Sequence, residues 1–251
     1  MRIRGHALIQ GASRGLGLEL ARQLAERDEV ASVTATCREP DQAGDLQTLV
    51  DASDGKVFAE RLDLTDEASI VTAAEAVRAR TDRLHLLMNV AGILHGAGVK
   101  PERQLGDVDP TALDRVFRVN AFGPLLVAKH FAPLFAHDEP AVLANLSARV
   151  GSIGDNRLGG WYAYRASKAA QNQFTKGLSI ELRRRNRHIV VVALHPGTVD
   201  TDLSAPFQKG VKPERLFSKE RAARQLLEVL EGLDESANGG FFAWDGQPIE
   251  W

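Results

Sequence analysis

Residues 10–17 read Gln10-Gly11-Ala12-Ser13-Arg14-Gly15-Leu16-Gly17 and lie between a short apolar run and a segment of helical periodicity. Glycine at these points permits a tight turn, lets backbone N–H groups approach a pyrophosphate, and lets a helix pack closely on a strand. The spacing is Gly-x-x-x-Gly-x-Gly, which differs from the general Gly-x-Gly-x-x-Gly fingerprint. Taken alone, this glycine loop therefore predicts either a dinucleotide site or a glycine-rich turn without a ligand.

The rest of the chain alternates between short apolar runs and longer segments of helical period. The apolar runs lack strict polar alternation, as do strands that are covered on both faces. They occupy residues 6–10, 32–37, 57–62, 84–90, 142–146, 189–194 and 240–244, and the helical segments include 16–27, 67–80, 111–135, 163–185 and 219–230. This rhythm predicts the α/β class, as a single-domain, Rossmann-type, doubly wound parallel sheet of about seven strands with helices on both faces.

One domain is expected over residues 1–251, with a single unusual segment at 199–218. Pro206, Gly210 and Pro213 interrupt that segment, and no period survives in it. A long irregular insertion in a compact domain is more often a functional lid than an accident. We therefore expect a flexible flap at 199–218 that shapes a pocket, with Leu203 and Phe207 among its apolar candidates.

Composition and charge exclude several classes of function. The 251 residues carry a net charge of −2 and are 44% hydrophobic, so nothing attracts the chain generally to nucleic acid or to an anionic membrane. No apolar run approaches the ~20 residues that span a bilayer, no signal peptide is recognisable, and the single Cys37 permits no internal disulfide. The seven histidines lack ligand spacing, which predicts no metal site. These features favour a cytoplasmic protein.

Tyr164 and Lys168 are the candidate catalytic pair. Residues four apart on a helix share a face, so the phenol and the ammonium can point at one site. A free tyrosine titrates near pH ~10, and a nearby cation favours the phenolate, which would bring the group into range for general acid/base catalysis. A chance pair on a helix surface is the alternative, and the preceding glycine loop weakens it.

Further motifs follow in a fixed order that resembles the short-chain dehydrogenase/reductase family. In that family an Asn in the fourth helix, here Asn120, holds a water that links the lysine to solvent. The resemblance implies hydride transfer between a nicotinamide and a carbonyl or alcohol carbon. It assigns cofactor binding to Gly11, Ser13, Arg14, Gly15, Leu16, Gly17, Arg38, Asp63, Leu64, Asn89, Ala91, Gly92, Tyr164, Lys168, Pro196, Gly197, Val199 and Thr201.

The cofactor preference is predicted from charge. Enzymes of this kind that use NAD carry an acidic residue at the end of the second strand, where this chain has Cys37 followed by Arg38. Arg14 adds a second cation inside the glycine loop. Because guanidinium groups bind phosphate bidentately, two arginines at this place favour NADP(H) over NAD(H), although both could be solvated surface side chains.

The serine that binds the substrate carbonyl is the point at which the resemblance is incomplete. Family members usually carry that serine second in an adjacent pair, and this chain reads Ser147-Ala148. Adjacent strand residues point to opposite faces. Ser147 is the candidate if the strand end is displaced by one position; otherwise Ser152 reaches in from the following loop, or Tyr164 acts without a serine.

Within the family, the chain is most similar to the C-factor-like and carbonyl-reductase-like branch. That similarity rests on residues 151–156, 161–168, 194–197 and 240–251. It predicts an NADP(H)-dependent oxidoreductase acting on a small carbonyl or alcohol substrate. The alternative is a C-factor-like signalling or regulatory protein that binds the nucleotide with little turnover. A homodimer or homotetramer through segments 111–135 and 163–185 is expected by analogy.

The roles of two further groups, the pair Trp161 and Tyr162 and the single residue His195, stay open. Trp161 and Tyr162 border the catalytic helix and fit pocket lining and packing equally well. His195 precedes Pro196 at a strand end. A hydrogen-bonded structural role is expected for it, because no second acid/base partner is evident.

Overall fold

The computed structural model describes residues 2–96 and 98–251; Met1 and Ala97, which belong to the predicted domain 1–251, lie outside the described residues. Within those ranges seven parallel strands form one continuous sheet. All seven predicted strands are confirmed. Their bounds are β1 Gly5–Gln10, β2 Val30–Cys37, β3 Val57–Arg61, β4 Leu86–Asn89, β5 Ala141–Leu146, β6 Ile189–His195 and, later in the chain, Phe241–Ala243.

The strand order places a cleft where the winding direction reverses. Across the sheet the order is β3-β2-β1-β4-β5-β6, and the strand Phe241–Ala243 follows at the far edge. The chain winds outward from β1 to β3 and then crosses back to β4, which pairs with the other side of β1. In open parallel sheets, ligands bind outside the carboxyl ends of the strands at such a reversal. The glycine loop follows β1 at this point.

Helices cover both faces of the sheet. Their bounds are α1 Gly15–Ala25, α2 Gly44–Asp51, α3 Glu67–Arg80, α4 Pro110–Phe117, α5 Gly123–Phe131, α6 Tyr162–Leu182 and α7 Lys219–Gly232. The side chains of Asp66 and Asp109 cap two of these helices, since they accept from the first turns of α3 and α4. Among the described residues, no helix has the length and hydropathy to cross a membrane.

The predicted single helix at 111–135 is wrong in one respect. A π-helical turn, Arg118–Phe122, separates α4 from α5, and a 3-10 turn, Ala132–Phe135, ends the segment. A π turn holds its hydrogen bonds one residue further along than an α-helix does, and such turns are frequent at functional sites. Asn120 lies in this one. Helix α2 was not expected, and only Leu46 of it is buried.

The core has one large cluster on each face of the sheet. Helices α1 and α7 pack together on one face, where Leu20 and Leu226 are fully buried. Helices α3, α5 and α6 cover the other face around Phe131 and Phe135. Because both faces are covered, the strands are continuous apolar runs, as the sequence showed.

Segment 199–218 is more regular than the sequence suggested. It begins in the short strand β7, Thr198–Val199, passes through the 3-10 helix Ala205–Gly210, and returns in β8, Leu216–Phe217, which pairs with β7. The edge strand Phe241–Ala243 is therefore β9. A two-stranded sheet closes the base of this segment, which the irregular sequence pattern did not indicate. Residues 199–218 are named the flap.

Candidate active site

The glycine loop turns tightly over the ends of β1 and β2. The N–H groups of Gly11 and Ala12 both donate to Thr36 O at 2.9 Å. Gly11 has φ +90°, and a Cβ there would lie 2.7 Å from the Ala91 backbone N, while a Cβ on Gly17 would collide with Gly11 O. No side chain of the described residues caps the first turn of α1. The loop therefore offers free N–H groups at a helix N-terminus, which suits a pyrophosphate.

A cavity of about 500 Å³ opens beside the loop at the end of β2. Ser13, Arg14, Cys37 and Arg38 line it, as the charge argument predicted for a 2′-phosphate site. Carboxylates line it too, however, because Glu39 and Asp45 lie on its rim. Sequence reasoning missed this acidic contribution, since neither residue occupies the family's acidic position.

A third cation near this cavity, Arg61, was not anticipated from the sequence. Arg61 ends β3 and lines an adjoining cavity of about 350 Å³ together with Arg38. The parallel pairing of Cys37 with Arg61 brings it to the same edge of the sheet. Its guanidinium also lies 3.4 Å from the carboxylate of Asp66 in a mostly exposed ion pair, which is a weak tie.

Asp63 and Leu64 follow β3, as the adenine-binding assignment requires. The Asp63 carboxylate accepts from the N–H and the hydroxyl of Thr65, both at 2.8 Å. It therefore closes a local turn, while Asp66 is the cap of α3. Leu64 is buried beside Gly123, whose missing side chain makes room for it.

Asn89, Ala91 and Gly92 lie at the carboxyl end of β4, in the middle of the sheet. Asn89 donates to Asn145 Oδ1 at 2.8 Å, and Asn145 donates to Thr175 Oγ1 at 2.9 Å, which joins β4, β5 and α6 in one buried polar chain. A Cβ added to Gly92 would lie 3.6 Å from Lys168 Nζ and 3.3 Å from Asn120 Oδ1. The bare glycine thus faces the catalytic candidates.

Tyr164 and Lys168 come together as predicted, in a buried setting. Both side chains are buried on α6, and Lys168 Nζ lies 5.9 Å from the centre of the Tyr164 ring. Nζ donates to Leu146 O at 2.7 Å and to Gln171 Oε1 at 3.0 Å. Sequence reasoning missed Gln171, which is one turn along the same helix.

Burial shifts the pKa values of Tyr164 and Lys168 in opposite directions. It raises the pKa of Tyr164 to about 12 and lowers the pKa of Lys168 to about 7, because each charged form loses its hydration. The expectation that the lysine lowers the tyrosine's pKa is wrong for this arrangement, since desolvation dominates and the ammonium bonds elsewhere. Tyr164 is consequently protonated at neutral pH, and Lys168 populates both forms.

Asn120 clamps the loop after β4. Its Oδ1 accepts from Ile93 N–H at 2.7 Å, and its Nδ2 donates to Ile93 O at 2.9 Å and to Ser167 Oγ at 3.1 Å. The side chain is fully buried and its amide is fully used. The π turn therefore delivers Asn120 to the loop on one side and to α6 on the other.

Glu102, which the sequence did not single out, holds the start of α6. Trp161, immediately before the helix, has φ +50°, a left-handed conformation that a bulky residue rarely adopts. Its N–H donates to Glu102 O at 2.6 Å, and the buried Glu102 carboxylate accepts from Ala163 N–H at 3.2 Å. A carboxylate at a helix N-terminus is favourable. No local motif predicts a cap 61 residues away in sequence.

The two candidate serines differ in what their hydroxyls already do. Ser147 donates to Asn172 Oδ1 at 2.6 Å, inside the β5–α6 interface. Ser152 Oγ accepts from Asp155 N–H at 3.1 Å, which leaves its own proton without an acceptor among the described residues. Ala148 is in extended backbone, so its methyl group points away from the face that Ser147 uses.

The turn after β6 meets the glycine loop. Pro196 and Gly197 follow His195, and Gly197 has φ +76° with Phe217 packed where a side chain would lie. Val199 O accepts from Thr201 Oγ1 at 3.4 Å, and Thr201 lies 3.7 Å from where a Cβ on Gly15 would be. The candidates at 196–201 thus border the same cleft as the glycine loop.

His195, at the end of β6, has one ring nitrogen that no described protein atom serves. Its Nδ1 is buried and has no partner among the described residues. Burial lowers the pKa of His195 to about 4, so the ring is neutral at physiological pH. The expectation of a hydrogen-bonded structural histidine is therefore wrong for Nδ1.

This arrangement is matched by a known family. The family model described as short chain dehydrogenase matches residues 5–212. The chain belongs to the short-chain dehydrogenase family. The 1-hydroxy-2-glutathionyl-2-methyl-3-butene dehydrogenase of Rhodococcus sp. is 31% identical to this chain, over 97% of this chain and 98% of its own length.

Two further relatives indicate the branch of the short-chain dehydrogenase family. The C-signal protein of Myxococcus xanthus is 37% identical over 147 residues, 59% of this chain and 83% of its own length. The NADPH-bound carbonyl reductase from chicken fatty liver superposes with a TM-score of 0.88 at 31% identity, over 100% of this chain and 95% of its own. The chain is thus an oxidoreductase-family protein with carbonyl-reductase-like neighbours.

Proposed function

We propose that this short-chain dehydrogenase is an NADP(H)-dependent oxidoreductase that interconverts a carbonyl and an alcohol, with Tyr164 as general acid/base. The observation that carries the proposal is the buried Tyr164–Lys168 pair facing the bare Gly92. A tyrosine and a lysine removed from water, next to a glycine that adds no side chain, fit proton transfer to a bound substrate.

The residues present fit a nicotinamide dinucleotide phosphate. The free N–H groups at the start of α1 suit the pyrophosphate, and the cavity with Arg14 and Arg38 suits a 2′-phosphate. The glycines at 11, 17 and 92 keep the floor of the cleft free of side chains. Bound there, the dinucleotide supplies or accepts the hydride. NADPH in the chicken relative supports the choice of cofactor.

Residues of the protein donate the proton that the reduction consumes and replace it afterwards. In the reductive direction Tyr164, protonated at neutral pH, donates to the developing alkoxide. The phenolate that forms is stabilised by Lys168 in its protonated form, which requires Nζ to turn from Leu146 O toward the ring. By family resemblance, a water held by the Asn120 backbone in the π turn returns the proton from solvent, because its side chain is already occupied by Ile93 and Ser167.

The serine role is proposed for Ser147, with Ser152 as its rival. Ser147 must release Asn172 before it can donate to a substrate oxygen, whereas Ser152 need not. Loss of a donor to a developing oxyanion lowers kcat by about 100- to 1000-fold. Ser147→Ala and Ser152→Ala, measured side by side, identify the donor. If neither variant lowers kcat, Tyr164 acts without a serine.

The proposal is tested by NADPH and NADH oxidation with a panel of aldehydes, ketones and quinones. We expect turnover that Tyr164→Phe reduces by about 100-fold or more, and a higher kcat/KM with NADPH. Arg38→Ala should remove most of that preference, whereas Arg183→Ala, at the end of α6, should not. A preference for NADH in the unaltered protein would contradict the cofactor assignment.

A signalling protein that binds the nucleotide with little turnover is the second candidate. The similarity to the C-signal of Myxococcus xanthus favours it, as does the missing hydroxyl at Ala148. The two functions separate in the same assay. NADPH binding by calorimetry, without turnover above the Tyr164→Phe background for any substrate, would select the signalling function.

We also propose that the protein assembles as a homodimer or homotetramer through α4, α5 and α6. Phe122 and Ile180, on this side of the fold, are 43% and 58% exposed, which is unusual for large apolar side chains. Light scattering should give a multiple of 27.3 kDa. Ile180→Glu should shift the mass to that of one chain without changing the circular dichroism spectrum.

A further inference from the structure

The loop after β4 carries a histidine that touches the flap. His95 Nε2 lies 3.1 Å from Asp202 O and 3.1 Å from Leu203 O. A carbonyl oxygen can only accept, so Nε2 carries the proton and donates to both. The loop itself is fixed two residues earlier, where Asn120 bonds the N–H and the carbonyl of Ile93. Asn120, the loop and the flap are therefore connected in series.

The His95 ring begins a row of four aromatic side chains that ends at Tyr164. The centre of the His95 ring lies 5.8 Å from that of Phe207 in the flap, in an edge-to-face arrangement. Phe207 lies 4.9 Å from Trp161, and Trp161 lies 6.3 Å from Tyr164, both edge to face. These are the distances and tilts at which aromatic pairs attract.

The row is not simply part of the core. His95, Trp161 and Phe207 are each only partly buried, and none of them belongs to the hydrophobic clusters under the sheet. Trp161 is held in its left-handed backbone by Glu102, which fixes the side chain at the start of α6. Each of these three side chains therefore keeps part of its surface exposed in the row that leads to Tyr164.

We propose that His95, Phe207 and Trp161 form an aromatic wall that selects planar, conjugated carbonyl compounds, with His95 as the residue that positions the flap. This rests on the proposed carbonyl reduction by Tyr164 and names the substrate class for that site. Phe207 and Trp161 contact the substrate ring, and His95 acts through the two flap carbonyls. A flat conjugated ring gains aromatic contacts with these edges and faces, which a saturated ring of the same carbon count cannot make.

The matched substrates are benzaldehyde and cyclohexanecarboxaldehyde, which differ only in ring saturation. We expect a higher kcat/KM for benzaldehyde in the unaltered enzyme with NADPH. Phe207→Leu should lower the benzaldehyde-to-cyclohexanecarboxaldehyde ratio of kcat/KM by about 2- to 12-fold, the range that one aromatic pair supports. Phe58→Leu, which removes a ring from the outermost strand β3, should leave the ratio unchanged.

Positioning by His95 is tested by two variants. His95→Leu cannot donate to the flap, so KM should rise for both aldehydes while kcat and the Kd for NADPH change little. His95→Gln keeps an N–H donor and should recover most of the lost KM. An unchanged KM in His95→Leu, or no recovery in His95→Gln, would overturn the positioning role.

The outcomes also distinguish a failure of the aromatic wall from a failure of the proposed carbonyl reduction. If no member of the aldehyde, ketone and quinone panel, these two aldehydes included, is turned over above the Tyr164→Phe background, the proposed reduction fails; if only other members are turned over, the aromatic wall is refuted. If both are turned over but Phe207→Leu leaves their ratio unchanged, the reduction stands and the aromatic wall is refuted. Far-ultraviolet circular dichroism of each variant shows whether it is folded.

Discussion

Lys168→Met is expected to inactivate the enzyme while making its fold more stable at neutral pH. Burial lowers the pKa of Lys168 from 10.5 to about 7, which measures the cost of keeping a charge in this place. Methionine is similarly long and unbranched, and it carries no charge. The variant therefore removes the cost together with the catalytic cation.

The magnitude follows from proton linkage. A base whose pKa is lower in the folded than in the unfolded protein reduces the free energy of unfolding. The reduction is complete below the folded-state pKa and disappears above the unfolded-state pKa. For Lys168 this amounts to about 4 kcal/mol at pH 7 and less than about 1 kcal/mol at pH 10. Methionine leaves Leu146 O and Gln171 Oε1 without their donor, which costs about 1–3 kcal/mol. The net gain is about 1–3 kcal/mol at pH 7.

Urea unfolding without cofactor, followed by tryptophan fluorescence at pH 7 and pH 10, measures this gain. The variant should be more stable than the parent at pH 7 and no more stable at pH 10. Lys176→Met, on the exposed side of α6, provides the control, and its difference from the parent should not depend on pH. A Lys168→Met protein that is less stable by the same amount at both pH values would refute the reasoning.

Three further outcomes are expected. Gly17→Ala should abolish measurable NADPH binding by calorimetry, because the added methyl group collides with Gly11 O, and retained binding would contradict the loop geometry. Burial lowers the pKa of His85, so the free energy of unfolding should fall as pH drops below 6.5. The variant His85→Gln can still donate to Glu139. In urea titrations at pH 5 and 6.5 it should show a smaller fall in the free energy of unfolding than the parent. Phe131→Ala should cost about 3–5 kcal/mol in the same assay because the ring is fully buried, and a loss under about 1 kcal/mol would show that the core collapses around it.

The sequence predicted the sheet well because its signal is local. Strands buried on both faces are continuous apolar runs, and the turns between them carry glycine, proline and capping residues. Helix α2 escaped notice because only Leu46 packs inward, so no periodic pattern marks it. The split of segment 111–135 was also missed, since a π turn shifts the pattern by one residue and leaves composition unchanged.

The site was predicted in its positions and not in its contacts. Motif spacing placed Tyr164, Lys168 and the glycine loop along one cleft. It could not show that Ser147 turns toward Asn172, or that Glu102 caps α6 from 61 residues away. Such pairings depend on long-range packing. The direction of the pKa of Tyr164 was missed for the same reason, since burial is a property of the folded chain.

The π turn at Arg118–Phe122 has an evolutionary consequence. Deleting one residue there would turn the segment into an ordinary α-helix, because the π turn accommodates one extra residue between α4 and α5 while the two helices keep their faces. Helix α5 would keep Phe131 in the core, but the residues of the former π turn would change direction, and Asn120 would lose its bond to Ile93 or to Ser167. Substitutions in this stretch can be absorbed one at a time, but changes of length cannot. Related chains should therefore keep the number of residues across 118–122 and keep Asn120, whereas the other residues of the turn should vary.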